Sequence, residues 1–163
     1  MILNSLVEDS FERSLEPILQ FTGEYRWLSN FFPCSITLDG EVYPSTEHAY
    51  MSAKSDDPKW KFYCSLEKKA GKVKEASYKI QLVPDWDLKK ISVMSKVLRQ
   101  KFFYEPFRSM LLQTRDRHLE EGNNHGDTFW GVSLDTGEGE NMLGRMIMAI
   151  RDELLAEETG QNP

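Results

Sequence analysis

The sequence has little cysteine and no long hydrophobic run. Its 163 residues include two cysteines, Cys34 and Cys64, and no Cys-x-x-Cys pair. The longest unbroken apolar run has five residues, Met146 to Ile150, whereas a membrane-spanning helix needs about 20. The start carries no basic residue before Arg13, which is atypical of a secretory signal. These absences exclude a cysteine zinc motif and a spanning helix, and they predict free thiols in a cytoplasmic protein.

Motifs for metals and common cofactors are also missing. The three histidines, His48, His118 and His125, form neither His-x-His nor His-Glu-x-x-His spacing. The acidic, glycine-rich stretch 135–141 lacks the ligand order of an EF-hand and does not match the dinucleotide fingerprint. No Gly-x-Ser-x-Gly elbow is present. We therefore predict no metal and no cofactor.

Charge is distributed unevenly along the chain. The formal net charge is −6, which disfavours non-specific binding to nucleic acid or to an anionic membrane. Residues 54–101, however, carry 13 basic and 6 acidic side chains. This basic middle segment either consists of solvated helix faces or attracts a phosphate group to one place.

The length and composition are typical of one globular domain, with 40% hydrophobic and 28% charged residues. Hydrophobic periodicity predicts mainly helices with a small antiparallel β element, which is the α+β class. We expect an amphipathic N-terminal helix within residues 1–17, a domain over 18–157 and a flexible tail over 158–163.

Local signals place the individual elements. Asp39-Gly40 is a hairpin signal between strands at 35–38 and 41–43. Ser45 is the predicted cap of a helix that runs to about Ser55. Proline, glycine and apolar spacing predict the remaining elements: a helix over 5–16, a short strand at 18–21, a loop over 22–33, a helix from Pro58, two helical pieces divided at Gly71, a helix over 86–104 with the stripe Leu88, Ile91, Met94, Leu98 and Phe102, a short helix from Pro106 to Thr114, a strand near 118–120, and a final helix capped by Asn141 with the stripe Leu143, Met146, Ile147, Ile150 and Leu154.

Glu47 and Lys54 are the candidate chemical groups by residue type and place. Near a helix start, Glu47 either complements the helix dipole or acts as a general acid, a general base or a charge stabiliser. Lys54 follows two turns later on nearly the same face, about 10.5 Å along the axis. Only long side chains that reach a shared ligand act together at that separation, and alone Lys54 reads as a solvated lysine.

Three of the four tryptophans lie in loops or at a helix start beside polar residues: Trp27, Trp86 and Trp130. An aromatic side chain placed there either stacks on a planar ligand or packs in the core. The sequence leaves both readings open for each of them.

Six fragments, taken in order, resemble one known family. They are Leu28-Ser29-Asn30-Phe31-Phe32-Pro33 before Asp39-Gly40, Tyr43-Pro44-Ser45-Thr46-Glu47-His48 with Lys54 downstream, Trp86-Asp87, Val93-Met94 with Lys101-Phe102, Asp127-Thr128-Phe129-Trp130-Gly131, and Asn141-Met142-Leu143-Gly144 before Met148 and Arg151. This ordered set resembles the NADAR (YbiA-like) N-glycosidase family over about residues 20–156. The helix predicted over 5–16 lies outside the usual family core.

The resemblance implies a single α+β domain and an enzyme without a cofactor that hydrolyses N-glycosidic bonds to ribose. Members of the family act on early riboflavin-pathway intermediates, such as 5-amino-6-(5-phosphoribosylamino)uracil, and release ribose 5-phosphate. Other members remove ADP-ribose from modified guanine in nucleic acid. The expected partner is therefore a small phosphorylated ribosyl substrate. Nucleic acid is expected only under the second activity, and no membrane partner is expected.

The resemblance also assigns roles to residues of this chain. Glu47 matches the family's key glutamate, and Lys54 matches a lysine that takes part in the chemistry in part of the family. The matched substrate-binding positions are Ser29, Asn30, Trp86, Asp127, Trp130 and Asn141, and Arg26 is a candidate phosphate ligand. Relatives often carry a Gln in an aromatic-x-Gln step where this chain has Tyr50-Met51. If that Gln contacts the base, Met51 changes the substrate preference.

A mechanism that fits these residues breaks a ribose–nitrogen bond through an oxocarbenium-like state. Glu47 stabilises that charge, activates water or moves a proton to the departing nitrogen. Lys54 either binds phosphate or attacks an opened ribose aldehyde, and the second role needs a neutral amine. Burial or a cationic neighbour favours the neutral amine, and a nearby Glu47 carboxylate opposes it.

The remaining matched residues are expected to hold the substrate. Trp86 and Trp130 wall the base, and Asp127 and Asn141 bind ribose hydroxyls or the base edge. Three functions stay open: a glycosidase on a phosphoribosylamino-pyrimidine, a hydrolase that removes ADP-ribose from nucleic acid, and a non-catalytic reader of ADP-ribose or a nucleotide.

Overall fold

The computed structural model describes residues 16–160, which are mainly helical with a small antiparallel β hairpin. The helices are α1 (Thr46–Ser52), α2 (Pro58–Leu66), α3 (Ala70–Ser77), α4 (Trp86–Phe102), α5 (Phe107–Gln113) and α6 (Met142–Glu158), and the strands are β1 (Ile36–Leu38), β2 (Glu41–Tyr43), β3 (Gly122–Asn123) and β4 (Val132–Ser133). The predicted α+β class is confirmed. Residues 5–15 of the helix predicted over 5–16 lie outside the described residues, as do 161–163 of the predicted tail.

The described chain forms two compact units. The first contains residues 16–26 and 106–160, and the second contains residues 27–105. A 3-10 helix at Gly23–Leu28 spans the boundary, within the stretch 22–33 that the sequence predicts as a loop. The second unit holds the hairpin and helices α1 to α4, and the first holds β3, β4, α5 and α6.

The hairpin in the second unit forms where the Asp39-Gly40 signal predicts it. Strands β1 and β2 pair antiparallel, with Leu38 opposite Glu41. Asp39 and Gly40 both have positive φ, 51° and 86°. Two consecutive positive φ values define the tight turn whose twist matches that of the flanking strands.

The predicted cap of α1 is confirmed. The Ser45 hydroxyl accepts a hydrogen bond from the His48 N–H at 3.2 Å, which satisfies one of the unpaired donors of the first turn. Helix α1 ends at Ser52, three residues earlier than expected, so Lys54 lies in the turn after the helix. Placing Lys54 by extrapolating a straight helix from Glu47 is therefore wrong.

The break between the next two helices lies before Gly71 and not at it. Helix α2 ends at Leu66, and α3 begins at Ala70, so Gly71 is the second residue of α3. Residues 67–69 are extended or bent, and the Glu67 carboxylate accepts the Lys69 N–H at 2.9 Å. This side-chain contact stabilises the break, and glycine is not needed for it.

Helix α4 matches the predicted span to within two residues, but only part of its predicted stripe is buried. Met94, Leu98 and Phe102 are at most 2% exposed. Leu88 and Ile91 are 82% and 40% exposed, so their assignment to the core is wrong. The apolar period identifies the correct face, but the packing partners cover only the C-terminal half of that face.

The first unit contains a short parallel ladder that the sequence analysis did not predict. Strand β3 pairs with β4 through Gly122 opposite Val132. The strands predicted at 18–21 and 118–120 are reduced to one parallel bridge between Ile18 and Leu119. These pairings join residues that are distant in sequence, so local patterns carry little information about them.

Helix α6 packs against α5 within the first unit. The buried Arg151 of α6 donates to the Thr114 hydroxyl and to the Arg117 carbonyl, both at 2.8 Å. The predicted α6 stripe is buried apart from Met146, which is half-buried.

Candidate active site

Glu47 lies in the first turn of α1 and is 5% exposed. Its backbone N–H donates to the Asn30 carbonyl at 3.0 Å. The neighbouring Thr46 hydroxyl donates to the same carbonyl at 3.0 Å and to the Asn30 side-chain oxygen at 3.2 Å. Two predicted site positions, Asn30 and Glu47, are therefore joined directly, and the loop fixes where the helix presents its carboxylate.

The histidine beside Glu47 has a structural role. His48 Nε2 lies 2.8 Å from the Glu67 carbonyl, and His48 Nδ1 lies 2.6 Å from the Ser45 hydroxyl. A carbonyl only accepts, so Nε2 carries the proton and Nδ1 accepts from Ser45. Burial lowers the pKa of His48, which keeps this imidazole neutral. His48 thus anchors the start of α1 and takes no charge near the carboxylate.

Lys54 and Trp86 approach each other through Tyr50, which lies one turn after Glu47 on α1. The Lys54 ammonium is 5.8 Å from the centroid of the Tyr50 ring. The Tyr50 and Trp86 rings are 5.3 Å apart between centroids. Trp86 is 8% exposed at the first turn of α4. Tyr50 and Trp86 form the aromatic pair of the site, beside a half-buried amine.

The electrostatics around Lys54 favour its neutral form. Burial lowers the pKa of Lys54, which disfavours the ammonium. Glu47 opposes this shift, whereas Lys74 and Lys90 add to it. Both influences that favour a neutral amine, burial and cationic neighbours, are therefore present, and the cations lie on α3 and α4, which both pack against α1.

Met51, which stands where the resemblance leads us to expect a Gln, is a buried packing residue. Its side chain is 4% exposed, and its carbonyl accepts the indole N–H of Trp60 at 2.9 Å. Trp27 is also a core residue, since it packs edge-on against Phe102 with 6.4 Å between centroids. In contrast to Trp27, Trp86 contacts Tyr50 in the second unit.

Asp127 and Trp130 form a local turn in the first unit. The Asp127 carboxylate accepts the Phe129 N–H at 3.2 Å and the Trp130 N–H at 2.9 Å. The Asn123 side chain holds Asp127 by accepting its N–H and donating to its carbonyl. The half-buried Trp130 ring packs edge-on against Phe129 at 4.9 Å. The predicted substrate roles of Asp127 and Trp130 stay predictions, and one Asp127 oxygen has a structural task.

Asn141 does not cap α6 with its side chain, which corrects the prediction. It adopts a left-handed conformation with φ of 49°. Its side chain accepts the Glu121 N–H at 3.1 Å and donates to the Leu119 carbonyl at 2.9 Å. The amide is thereby committed to the 119–121 backbone, and its contact with substrate stays a prediction.

Backbone carbonyls cap the start of α6. The N–H groups of Asn141, Met142 and Leu143 donate to the carbonyls of residues 131, 129 and 130. Gly131 and Gly144 permit the 119–121 backbone to lie close beside this helix start, because a β-carbon on Gly131 would collide with the Glu121 carbonyl and one on Gly144 with the Leu119 carbonyl. This helix start therefore does not offer these N–H groups to an anion.

Arg26 lies exposed in the 3-10 helix of residues 23–28, and its role as a phosphate ligand stays a prediction. Among residues 16–160, no group of three His, Cys, Asp or Glu side chains is arranged to hold a metal ion. No helix of this part of the chain is long and apolar enough to cross a membrane. Cys34 and Cys64 are free thiols, as predicted, and burial raises the pKa of Cys64 to about 12.

Four residues near the predicted site were missed by sequence reasoning: Tyr50, Lys74, Lys90 and Lys101. Tyr50 was detectable, because it lies one helical turn before Lys54. The excess of basic residues over 54–101 indicated that cations gather in this unit, but it did not identify which ones. Lys101 reads as an exposed charge in the last turn of a helix, although it is 2% exposed.

In a comparison with known protein families, residues 19–155 match the family model described as the NADAR domain. A riboflavin biosynthesis protein of Vibrio vulnificus is 37% identical over 78% of this chain. An N-glycosidase of Nostoc punctiforme is 32% identical over 80% of this chain and 86% of its own length. The chain spans 35% of the Vibrio protein and 23% of a maize riboflavin biosynthesis protein that is 34% identical.

A solved structure is also similar. The NMR structure of YbiA from Escherichia coli superposes with a TM-score of 0.77 and 28% identity, and the match covers 91% of this chain and 90% of that one. The sequence of N-glycosidase YbiA from Escherichia coli K12 is 32% identical over 82% of this chain and 84% of its own length. The single family match runs through both compact units of the described chain.

Proposed function

The chain belongs to the NADAR domain family, and from this we propose that it is an N-glycosidase that hydrolyses a phosphoribosylamino-pyrimidine of the riboflavin pathway and releases ribose 5-phosphate. Relatives of similar length named N-glycosidases support the reaction class. Longer relatives named riboflavin biosynthesis proteins support the substrate class. The free thiols fit the predicted cytoplasmic location.

One observation carries the proposal: a buried carboxylate, an amine of lowered pKa and an aromatic pair lie together in the second unit. Glu47 supplies the carboxylate and Lys54 the amine, and the charge of each affects the other. Tyr50 and Trp86 supply the aromatic surface beside the amine. The proposed reaction needs an aromatic surface for the planar base, a negative charge beside the positive charge that develops on the ribose, and a nucleophilic amine. These residues supply all three.

Glu47 is the proposed stabiliser of the transition state. Positive charge develops at C1′ as the ribose ring opens and again as the bond from C1′ to nitrogen breaks, and a carboxylate held in a buried site stabilises it more than water does. Overall, one water molecule is consumed: its oxygen joins C1′, and one of its protons goes to the departing nitrogen. Because Asn30 fixes the Glu47 backbone, little reorganisation is needed during the reaction.

Lys54 is proposed to act as an amine nucleophile. In the ring-opened substrate, C1′ is joined to the pyrimidine nitrogen as an imine. The neutral Lys54 nitrogen adds to C1′, its two protons pass to the pyrimidine nitrogen, and the pyrimidine leaves as the free amine, so that the sugar is held as a Schiff base on Lys54. Water then adds to C1′, and the C1′–Lys54 bond breaks to give ribose 5-phosphate and the free amine. The lowered pKa of Lys54 supports this role over that of a permanently charged phosphate ligand.

Lys74 and Lys90 are the proposed cations for the substrate phosphate in the second unit. The positive charge of each lowers the pKa of Lys54. The Lys74 ammonium is held 5.9 Å from the centroid of the Phe31 ring, and the Lys90 ammonium lies 3.0 Å from the Asp87 carboxylate. A phosphate between them leaves Lys54 available for chemistry.

The test is release of ribose 5-phosphate from 5-amino-6-(5-phosphoribosylamino)uracil by the purified protein. Wild type and the control Glu41→Gln, which changes an exposed carboxylate on β2, are expected to release it equally. Glu47→Gln is expected to lose about 10²–10⁴ in kcat. No release by wild type rejects the pyrimidine substrate, and equal release by Glu47→Gln rejects the role of Glu47.

Removal of ADP-ribose from guanine is the second candidate function, favoured by the 13 basic residues within 54–101. It predicts binding to single-stranded DNA that weakens steeply with salt, because cation–phosphate contacts release counterions. The first candidate predicts no such binding. A non-catalytic reader, the third possibility, predicts that Glu47→Gln leaves ligand affinity unchanged.

A further inference from the structure

Lys101 is a buried lysine that donates to a backbone carbonyl. It lies in the last turn of α4 and is 2% exposed. Its ammonium donates to the Ser29 carbonyl at 2.8 Å. The ring centroids of Phe102 and Phe32 lie 5.1 Å and 5.9 Å from the same nitrogen. A carbonyl and two aromatic faces compensate in part for the water that this ammonium has lost.

Burial makes Lys101 an expensive residue in this position. It lowers the pKa of the ammonium to about 8, and the neighbouring Cys34 opposes that shift. A methionine of similar length fills the same space without a charge to desolvate. A buried lysine is therefore less stable here than a methionine would be, which indicates that its hydrogen bond to Ser29 has a purpose beyond filling space.

The Ser29 carbonyl is one peptide away from the group that places Glu47. The next carbonyl, of Asn30, accepts the Glu47 N–H at 3.0 Å and the Thr46 hydroxyl at 3.0 Å. The Asn30 amide also donates to the Met94 sulfur at 3.4 Å. A short chain of contacts thus runs from α4 through residues 29–30 to the first turn of α1.

We propose that Lys101 is a positioning residue that holds the Ser29–Asn30 peptide so that Asn30 fixes the backbone of Glu47. Lys101 acts through this peptide and does not touch the substrate. Its contribution to turnover rests on the proposed function, but its contribution to the geometry does not. Movement of a reacting group by about 1 Å is enough to lower a rate by about 10²-fold.

Lys101→Met tests the proposal, because it keeps a flexible apolar stem and removes the donor. We expect kcat to fall at least about tenfold and KM to rise by a smaller factor, since Glu47 acts in the transition state whereas Ser29 and Asn30 are predicted to bind the substrate itself. Leu98→Ala is the matched control: it removes a fully buried side chain one turn earlier on α4 and leaves the Ser29 contact intact. It is expected to lower thermal stability at least as much while retaining kcat within about twofold.

Amide hydrogen exchange provides a readout that needs no substrate. In Lys101→Met, the amide of Glu47 is expected to exchange faster relative to amides elsewhere in α1, whereas Leu98→Ala raises exchange across α1 uniformly. This result with an inactive wild type rejects the proposed function but not the positioning role. Unchanged exchange at Glu47, or unchanged kcat in an active folded variant, overturns the positioning role.

A second variant covers a folding failure. If Lys101→Met does not fold, Lys101→Gln enters the same assays with the same expectations, because its amide nitrogen lies one bond short of the position from which the ammonium donates to Ser29. Failure of both variants to fold overturns the proposal, because Lys101 is then required for the fold as a whole and has no distinct part in placing Glu47.

Discussion

The Lys54 ammonium lies 5.8 Å from the centroid of the ring of Tyr50, which is four residues earlier in the chain, in helix α1. An aromatic face attracts a cation by about 0.5–2 kcal/mol, so this contact favours the charged amine while burial favours the neutral one. Glu47 acts in the same direction as Tyr50, and Lys74 and Lys90 in the opposite direction. The amine is thus held between opposing influences, with burial the largest, and its pKa is lowered.

The nucleophile role of Lys54 predicts a covalent sugar adduct. Borohydride added during turnover reduces the Schiff base, so mass spectrometry of wild type is expected to show the adduct on the peptide containing Lys54. Lys54→Arg keeps a cation but has no attacking amine, and we expect no adduct and a loss of at least about 100-fold in kcat. An Arg variant that keeps activity within a few-fold would instead show that Lys54 binds phosphate.

The pH dependence of kcat/KM is expected to report the neutral fraction of Lys54. A neutral amine is needed, so activity rises with pH, and its inflection lies below the ordinary lysine value because burial lowers the pKa. Lys74→Gln removes a cation that contributes to the lowering, so the inflection moves to higher pH. Lys79→Gln, an exposed change elsewhere in the second unit, serves as the control. An inflection that stays fixed in Lys74→Gln argues against electrostatic coupling with Lys54.

The aromatic pair predicts a binding defect. Trp86→Phe weakens the surface beside Tyr50, and we expect KM to rise about 2–10-fold, the range that one aromatic contact represents. Trp27→Phe is a matched control, because Trp27 is equally buried and packs on Phe102 in the same unit. Steady-state kinetics with equal KM in the two variants contradict a substrate contact for Trp86.

The glycine at the start of α6 predicts a stability difference. A β-carbon at Gly144 collides with the Leu119 carbonyl, so Gly144→Ala is expected to destabilise the fold by at least about 2 kcal/mol. At Gly71, in α3, the nearest atom to an added β-carbon is 3.9 Å away, so Gly71→Ala is expected to be neutral or stabilising by up to about 1 kcal/mol. Urea unfolding measures both, and similar values would contradict the collision.

The sequence predicted those elements whose cause is local. The Asp39-Gly40 turn and the Ser45 cap depend on neighbouring residues, and both are confirmed. The ladder between Gly122 and Val132 depends on long-range pairing, and no local pattern marks it. The exposure of Leu88 has the same origin, because periodicity shows which face of a helix is apolar but not how far along it a partner extends.

The candidate site shows the same division. The order of motifs predicted Glu47, Lys54 and Trp86 as site residues, and the structure brings Lys54 and Trp86 together on either side of Tyr50. Residue type alone did not reveal that the Asn141 amide is committed to the 119–121 backbone. Polar residues in the matched motifs therefore include some that shape a loop. Only the contacts of each side chain distinguish these from residues that are available to a substrate.

The carbonyl caps at the start of α6 bear on how the proposed activity could be redesigned. The N–H groups of Asn141, Met142 and Leu143 are already bonded to the 129–131 backbone, and the phosphate recognition proposed above uses lysine side chains. Single lysines are replaceable without rebuilding a loop, whereas a backbone cradle is not. Laboratory evolution of the proposed activity toward ribosyl substrates with other 5-substituents, charged or neutral, therefore needs few substitutions, and Lys74 and Lys90 are the first positions to change.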